Sequence, residues 1–419
     1  MMAVGLRTGA WIIFGLTYVA IAGLRFPGVA IDRPAAALLG AVAMVASGIL
    51  PLDEALRAVN LETIVLLLGM MIIAAYLIEA HFFKRTAWWV LTRARSARSL
   101  LWGLVFVSGG LSALLVNDTV CLMFTPLVLA VVYEAQLPPL PYLLGLAAAT
   151  NVGGVVTFTG NPQNMIVAMA AKGTLGYGEY LRLTLPIGIV SLALVAAILT
   201  VAFRRVLPVG PLADRAPPKP YVDVALMAKA LGALVLFVAL AVAGRSLAGA
   251  AVTAAAALVL VAQRPPRESL DKVDWVLLLF FAGLFVVVRG LESSGALADV
   301  TNHLAPLLAR GDATGLILFA ALTVVGSNVI SNVPFVVVAV RAVAETPEPR
   351  WGYVVLAVAS TLAGNLTLFG SVANLIVFEA AGPSAPISFG KFLRYGVVIT
   401  AATMAVAMAI LLGERALGW

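Results

Sequence analysis

The stretch TNVGGVVTFTGNPQNMIV, residues 150–167, decides the fold, because it occurs again in a recognisable copy as STLAGNLTLFGSVANLIV at residues 360–377. Chance similarity between apolar segments explains shared valines and leucines, but hardly shared glycines, threonines and asparagines at the same positions. A second alignment places residues 54–69 over residues 268–283 without a gap. The chain is therefore predicted to consist of two repeats.

The composition around these two copies is that of a membrane protein. Of 419 residues, 62% are apolar and 11% are charged, whereas a soluble domain carries about 25% charged residues. A helix needs about 20 apolar residues to cross a bilayer core of roughly 30 Å. The predicted spans are 9–24, 34–50, 62–82, 141–170, 183–203, 227–244, 246–262, 273–291, 351–380 and 391–412.

Two further apolar stretches, 99–135 and 312–343, are interrupted in the middle by polar residues. The interruptions are Asn117-Asp118-Thr119 in the first stretch and Ser327-Asn328 through Ser331-Asn332 in the second. Each stretch is predicted to form a hairpin that enters the membrane and returns. Lipid does not satisfy the backbone groups freed at such a break, so the tips are expected to be buried in protein or to line a wet cavity.

The predicted fold is thus an all-α polytopic membrane protein with two inverted repeats, about ten spanning helices, two re-entrant hairpins and two unwound helices. Lys and Arg concentrate in five gaps that are therefore assigned to the cytoplasm, residues 25–33, 84–98, 204–226, 263–272 and 382–394. This assignment places both termini outside, and it opens the first hairpin from the cytoplasm and the second from the outside. Segment 84–98, with Trp88 and Trp89, is predicted to lie along the cytoplasmic interface as an amphipathic helix. The predicted units are an N-terminal helix 1–33, repeat one 34–203, a cytoplasmic linker 204–226, a connecting helix 227–245 and repeat two 246–412.

A broken helix presents free amides and carbonyls, and nearby polar side chains add further ligands for a substrate or an ion. The alternatives are that the tips cap helices in a wet turn outside the membrane, or that small residues permit close helix packing. The candidate substrate and ion ligands are Asn117, Asp118, Thr119, Asn151, Thr157, Asn161, Asn164, Ser331, Asn332, Asn365, Thr367, Ser371 and Asn374.

Asp118 is the candidate coupling residue. A carboxylate inside an apolar stretch costs several kcal/mol unless it is protonated, paired or near a cation. The alternative role is an N-cap of the second hairpin helix. Cys121 lies one turn further along and is the only cysteine of the chain. A lone buried thiol is usually a small packing residue, so a metalloid-ligand role for Cys121 is the less favoured interpretation.

The sequence offers no basis for an enzyme. It has no phosphate-binding GxxxxGK[ST] loop, no HExxH or GxSxG motif and no Cys/His cluster. No cofactor, metal site or nucleic-acid partner is predicted, and the chain carries no ATPase domain. Energy for transport is therefore expected from an ion gradient, unless the protein is a channel.

Four motifs together resemble the ion transporter superfamily, most closely its arsenite-efflux permease branch and related anion permeases. They are NDTVCLMFTP (117–126), TNVGGVVTFTGNPQN (150–164), SNVISNVP (327–334) and STLAGNLTLFGSVAN (360–374). The resemblance implies a homodimer in the bacterial inner membrane, with a scaffold and a transport part that moves like an elevator. For the arsenite branch it also implies a possible soluble ATPase partner.

The tips depart from the SNT signature of the sodium-dicarboxylate members of that superfamily. Asp118 replaces the amide of the first tip, and Val333 replaces the threonine of the second. The Asn117-Asp118 pair resembles instead the arsenite permeases and the sodium/proton antiporters. Three functions follow as expectations: proton-coupled efflux of arsenite or antimonite, which is favoured, sodium/proton exchange, and sodium- or proton-coupled transport of a dicarboxylate-like anion. The expected coupling ion is H⁺, with Na⁺ as the alternative.

Overall fold

The computed structural model describes residues 2–21, 32–208, 210, 219–296, 310–346, 348–382 and 385–418. Within these ranges the chain forms 19 α-helices and no β-strand. Eight of the helices are long and apolar enough to cross a membrane. The prediction of an all-α polytopic membrane protein is confirmed.

The first half of the chain contains ten helices, several of which match predicted spans to within a few residues. Parts of the N-terminal unit and of the linker, residues 22–31, 209 and 211–218, lie outside the described residues. The helices are α1 (Met2–Ile21), α2 (Arg33–Ala46), α3 (Leu52–Ala58), α4 (Leu61–Glu79), α5 (Phe82–Arg93), α6 (Ala97–Leu114), α7 (Asn117–Glu134), α8 (Pro139–Gly154), α9 (Pro162–Ala170) and α10 (Tyr177–Ala202).

The second half repeats this order from α11, the helix predicted as a connection between the repeats. The counterpart of α5 would fall at residues 297–309, which lie outside the described part of the chain. The helices are α11 (Val224–Val242), α12 (Leu247–Ala262), α13 (Pro266–Leu270), α14 (Trp275–Ser293), α15 (Ala313–Ile330), α16 (Asn332–Ala344), α17 (Pro349–Ala363), a 3₁₀ turn (Leu368–Gly370), α18 (Val372–Ala381) and α19 (Phe389–Ala416).

The two halves pack against each other in a symmetric way. Helix α2 packs on α14, and the equivalent helix α12 packs on α4. A Cβ at Gly69 would lie 2.8 Å from the Ala251 carbonyl carbon, and a Cβ at Gly283 would lie 2.9 Å from that of Ala37. Only glycine permits this backbone approach, and it does so at the aligned position of each repeat.

Both predicted hairpins are present. Helices α6 and α7 are separated by Leu115 and Val116, and α15 and α16 are separated by Ser331 alone. Ser331 takes a φ of 75°, the left-handed region that residues other than glycine seldom adopt. The N-cap of α7 is Val116, with no side-chain capping bond. The alternative role of Asp118 as an N-cap is therefore wrong, since Asp118 lies inside the first helical turn.

Ion pairs between described residues fall into two groups, one at each end of the bundle. Arg264–Asp223 and Lys272–Glu79 join residues of the predicted cytoplasmic side. The opposite, predicted outer side has a larger number of ion pairs. The apolar parts of the helices separate the two groups of ion pairs, as expected for a protein that spans a bilayer. That larger set includes Lys172–Glu62, Arg289–Glu54, Arg341–Glu292, Arg350–Glu179 and Arg415–Glu348.

Candidate functional site

Two unwound segments lie at the centre of the molecule, as predicted. We call residues 155–161 the first crossover, between α8 and α9, and residues 364–371 the second crossover, between α17 and α18. The Asn161 side chain caps α9 by accepting from the backbone N–H of Asn164 at 2.8 Å. Ser371 caps α18 through a bond from the Ala373 N–H at 3.2 Å. Each crossover therefore ends at a side chain that starts the next helix.

One asparagine in each repeat satisfies the carbonyls that its crossover leaves free. The amide nitrogen of Asn164 donates to two carbonyls of the first crossover region, and that of Asn374 donates to the aligned two in the second. Buried carbonyls without a partner would be costly in an apolar environment, so these two asparagines hold the unwound shape. The acceptors, at 2.7 to 3.2 Å, are Gly154, Thr157, Gly364 and Thr367.

Asn151 is the centre of the network that joins the two repeats. Its amide nitrogen donates to Asn365 at 2.9 Å and to Asn374 at 3.1 Å. Its carbonyl oxygen accepts from the Ser371 hydroxyl at 2.9 Å and from the Asn117 amide at 3.3 Å. One buried side chain thus connects the first hairpin tip to the second crossover.

Thr361 occupies the position of Asn151 in the second repeat and makes the mirrored connections with fewer bonds. Its hydroxyl accepts from the Asn161 amide at 3.0 Å and donates to the Asn164 carbonyl oxygen at 3.0 Å. Each repeat therefore supplies one side chain that bonds to the crossover of the other repeat. This reciprocal arrangement fixes the two unwound segments against each other.

The two hairpin tips line one cavity, which we call the tip cavity. It contains about 380 Å³ of space free of protein atoms. Of the side chains that line it in the described part of the chain, Asp118 is the one that titrates, and none carries a positive charge. The lining residues are Asn117, Asp118, Pro162, Gln163, Leu277, Phe280, Phe281, Ser331, Asn332, Val333, Ser371 and Val372.

Two amide atoms, one on a residue that lines this cavity and one on a residue of the second crossover, have no hydrogen-bond partner among the described residues. The side-chain oxygen of Asn332 and the side-chain nitrogen of Asn365 are buried without a hydrogen bond. An unpaired buried amide group costs about 1–3 kcal/mol. The described protein groups therefore leave one acceptor and one donor of this region without a partner.

A second cavity, which we call the vestibule, adjoins the tip cavity on the predicted cytoplasmic side. It contains about 540 Å³ of free space and is lined by Thr119, Lys272 and Asp274 among others. Asp118 and Leu277 line both cavities. Lys272 is held at the vestibule wall by Glu79, 3.5 Å away. The Asp118 carboxyl group thus stands between the central cavity and a path toward the cytoplasmic end.

The structure places the predicted ligands in three groups. Asn117, Asp118, Ser331, Asn332 and Ser371 line the tip cavity, and Thr119 lines the vestibule. The amides at the crossovers bond one another beside the tip cavity, as described above. The remaining two predicted ligands, Thr157 and Thr367, do not line either cavity. Thr157 donates to the Ala113 carbonyl at 2.5 Å, and Thr367 donates to the Asn328 side chain at 2.8 Å.

The predicted ligands did not include four polar residues of this region, of which Asn328 was named only as part of the interruption of the second hairpin stretch. Gln163 lines the tip cavity, and its place inside the NPQN motif was an available signal. Asn328 holds the second crossover through the carbonyl of Ala363 at 3.0 Å. Lys272 and Asp274 line the vestibule. Lys272 was counted only among the positive charges of the cytoplasmic gaps and Asp274 was not singled out, because position in the sequence carries no information about a cavity.

The citrate transporter family, CitMHS, matches residues 10–351. The chain belongs to this family. The silicon efflux transporter LSI3 of Oryza sativa subsp. japonica is 28% identical, with 96% of each protein covered. An uncharacterized transporter of Mycobacterium tuberculosis is 32% identical over 94% of this chain and 95% of that protein.

One further relative is more distant, and one solved structure has a similar fold. The putative transporter arsB of Dictyostelium discoideum is 24% identical over 92% of this chain and 88% of its own length. The crystal structure of the Alcanivorax borkumensis YdaH transporter matches with a TM-score of 0.60 at 14% identity, covering 100% of this chain and 98% of that one. The CitMHS protein is thus a multi-pass secondary transporter of the ion transporter superfamily and not an enzyme.

Proposed function

We propose that this CitMHS protein exports a small, neutral, hydroxylated inorganic acid, with arsenite or antimonite as the first candidates, in exchange for protons. The single observation that supports this is the lining of the tip cavity. Amides and hydroxyls from both tips surround the space, Asp118 is its one titratable group, and the described lining contains no lysine or arginine.

The chemistry of the solute explains this choice. Arsenous and antimonous acid are uncharged in water near pH 7 and present hydroxyl groups that both donate and accept hydrogen bonds. The Asn332 side chain lines the cavity and has an oxygen without a partner, and the side chains of Asn117 and Gln163 add further amide groups to the lining. A carboxylate substrate would instead lose its hydration beside Asp118 without a compensating cation, which is unfavourable.

Two relatives favour the same class of solute. One is described as a silicon efflux transporter and another as a putative transporter arsB. Silicon dissolved in water at neutral pH is the tetrahydroxy acid, which is neutral and has the same hydrogen-bonding character as arsenous acid. Silicic acid therefore belongs among the substrates to be assayed.

Coupling is assigned to Asp118 because this carboxyl group borders both cavities. In one state of the transporter, Asp118 takes up a proton from the side of the membrane to which the site is open. In the other state, Asp118 releases that proton on the opposite side of the membrane. Following the resemblance to elevator transporters, the tips and crossovers move together relative to a scaffold. The proposed setting is a homodimer in a bacterial inner membrane. Sodium coupling is the alternative that the assay below distinguishes.

The second candidate function is transport of a polycarboxylate such as citrate. It is favoured by the description of the family that matches residues 10–351. Because the lining of the tip cavity lacks a cation, a citrate trianion would have to bring its own counter-ion, for example a divalent metal.

The deciding experiment uses proteoliposomes with an imposed pH gradient or an imposed sodium gradient. Arsenite, antimonite, silicic acid and citrate are tested in parallel, with a protonophore as the control for proton coupling. We expect arsenite or antimonite flux that follows the pH gradient and disappears with the protonophore. Flux of citrate with no flux of any neutral acid would contradict the proposal, and dependence on sodium alone would contradict the proton coupling.

A further inference from the structure

A groove distinct from the transport site lies between the interfacial helix α5 and the first hairpin. It contains about 310 Å³ of free space, and helices α5, α6, α7 and α8 contribute to its walls. Half of its lining residues belong to α7, the helix that starts at the first tip. The lining residues are Ala87, Val90, Leu100, Leu104, Phe124, Leu127, Val128, Val131, Val132 and Tyr142.

The groove is suited to a hydrocarbon chain and not to a polar solute. Nine of its ten lining side chains are aliphatic or phenyl groups. The hydroxyl of Tyr142 donates to the Ala97 carbonyl at 2.9 Å, so its ring is left to face the groove. Leu127 and Val131 are half-buried, which leaves part of the groove wall accessible from outside the bundle. Apolar surface that opens beside spanning helices faces lipid.

Positive charge stands beside this groove. Residues 80–117 contain no Asp or Glu, whereas Lys84, Arg93, Arg95 and Arg98 are all exposed. Residues three apart on a helix share a face. Lys84 therefore lies one turn before Ala87, and Arg93 lies one turn after Val90, so that a cation flanks each groove-lining residue of α5.

The aromatic residues of α5 place the helix at the membrane surface. The Arg93 guanidinium lies 5.3 Å from the ring centre of Trp89, and that of Arg85 lies 4.4 Å from that of Trp88. Tryptophan and arginine concentrate at the level of lipid headgroups. The cations are thus at the depth of lipid phosphates, with the apolar groove directly beneath them.

We infer that this groove binds an anionic phospholipid, with one acyl chain along α7 and the phosphate bound by Lys84 or Arg93. Charge selects the lipid, because basic residues near a membrane surface attract anionic headgroups. The groove favours binding of an acyl chain, because burial of hydrocarbon against leucine and valine is favourable. A lipid in this place would contact the hairpin that carries Asp118 at its other end.

The test titrates detergent-purified protein with phosphatidylglycerol and, separately, with phosphatidylcholine, and counts bound lipids by native mass spectrometry. Phosphatidylglycerol is expected to bind more tightly. The double variant Lys84→Ala/Arg93→Ala should weaken its binding by about tenfold. The matched control is Arg204→Ala/Arg205→Ala, two exposed cations of the same predicted side away from the groove, which should leave binding unchanged.

A second pair of variants tests the groove itself. Ala87→Phe fills the space, whereas Ala130→Phe adds the same bulk at an exposed position of α7 that does not line it. Only Ala87→Phe should weaken phosphatidylglycerol binding. Equal binding of both lipids, competition by inorganic phosphate as strong as by the lipid, or equal effects of the two charge variants would overturn the inference. The charge variants change exposed residues and should fold normally, so they test lipid binding at the groove even if Ala87→Phe folds poorly.

Discussion

The two hairpin tips share one skeleton and differ in charge. The first carries Asp118 and the second carries Asn332 at the aligned position. The same difference occurs where α4 and α14 begin, since Asn60 caps α4 and its counterpart Asp274 caps α14. Both carboxylates lie along the vestibule, toward the predicted cytoplasmic end. The two repeats thus share a scaffold, and a carboxyl at two positions where the other repeat has an amide gives the vestibule two acidic side chains.

The crossovers differ in the number of bonds rather than in charge. Asn151 makes three side-chain bonds across the repeats, to Asn365, Ser371 and Asn374, and one within its own repeat, to Asn117. Thr361, its counterpart, makes two across the repeats. A hydroxyl has fewer donors and acceptors than an amide. The second crossover is therefore fixed to the first repeat more firmly than the first crossover is fixed to the second.

The largest effect is expected from removing the charge that distinguishes the tips. Asp118→Asn gives the first tip the amide of the second with almost the same shape. We expect uphill arsenite transport driven by a pH gradient to be lost, while exchange at equal concentrations is retained. Proteoliposomes assayed with and without the gradient measure both.

The control for this prediction moves the charge instead of deleting it. In the double variant Asp118→Asn/Asn332→Asp the carboxyl lies in the tip cavity but no longer borders the vestibule, because Asn332 lines only the tip cavity. Proton-driven transport should stay absent. Unchanged pH-driven flux in Asp118→Asn, or its recovery in the double variant, would refute the coupling role.

The next effect concerns stability and compares the two crossover centres. Asn151→Ala removes four side-chain hydrogen bonds to buried partners, whereas Thr361→Ala removes two such bonds. At about 1 kcal/mol for each lost bond, the expected losses of unfolding free energy are about 4 and about 2 kcal/mol. Thermal unfolding of both variants in the same detergent ranks them. An equal or reversed ranking would show that the network is not the main stabilising contact between the repeats.

Much of this architecture was predictable from the sequence because lipid leaves few options for polar backbone. Amides and glycines inside the apolar run 141–170 required a break that is paired within the protein, and the structure places that break at residues 155–161. The positions of Asn117 and Ser331 inside apolar stretches predicted the two hairpins for the same reason.

The bonding within the site could not be predicted in the same way. Asn151 bonds to the Asn365 side chain of the other repeat, and only the tertiary packing of the repeats determines that contact. The sequence also did not show that Thr157 would bond to the Ala113 carbonyl instead of facing the cavity. Residue type indicates that a side chain needs a partner, whereas its direction depends on where the neighbouring helices lie.

A smaller effect is expected from the second carboxylate of the vestibule. Asp274→Asn should keep α14 intact, because the asparagine accepts from the Leu277 N–H as Asn60 accepts from Thr63 in α4. We expect a several-fold loss of proton-coupled flux at low ionic strength that shrinks as salt is added, since charges across a wet cavity are screened. A loss independent of salt would point to a structural role of Asp274.

The smallest effect is expected from the single thiol, which lies one turn beyond the tip but faces away from both cavities. Cys121 is fully buried, and its sulfur lies 3.0 Å from the Thr150 hydroxyl. It lines neither the tip cavity nor the vestibule. Cys121→Ser keeps a group that bonds to Thr150, so arsenite flux should stay within a factor of about two. Loss of arsenite flux with normal expression and an unchanged melting temperature would identify the thiol as a ligand. The amides and hydroxyls of the two tips would then form only part of the binding site. The solute would also have to reach the Cys121 sulfur, which lies behind Asp118 in the first hairpin.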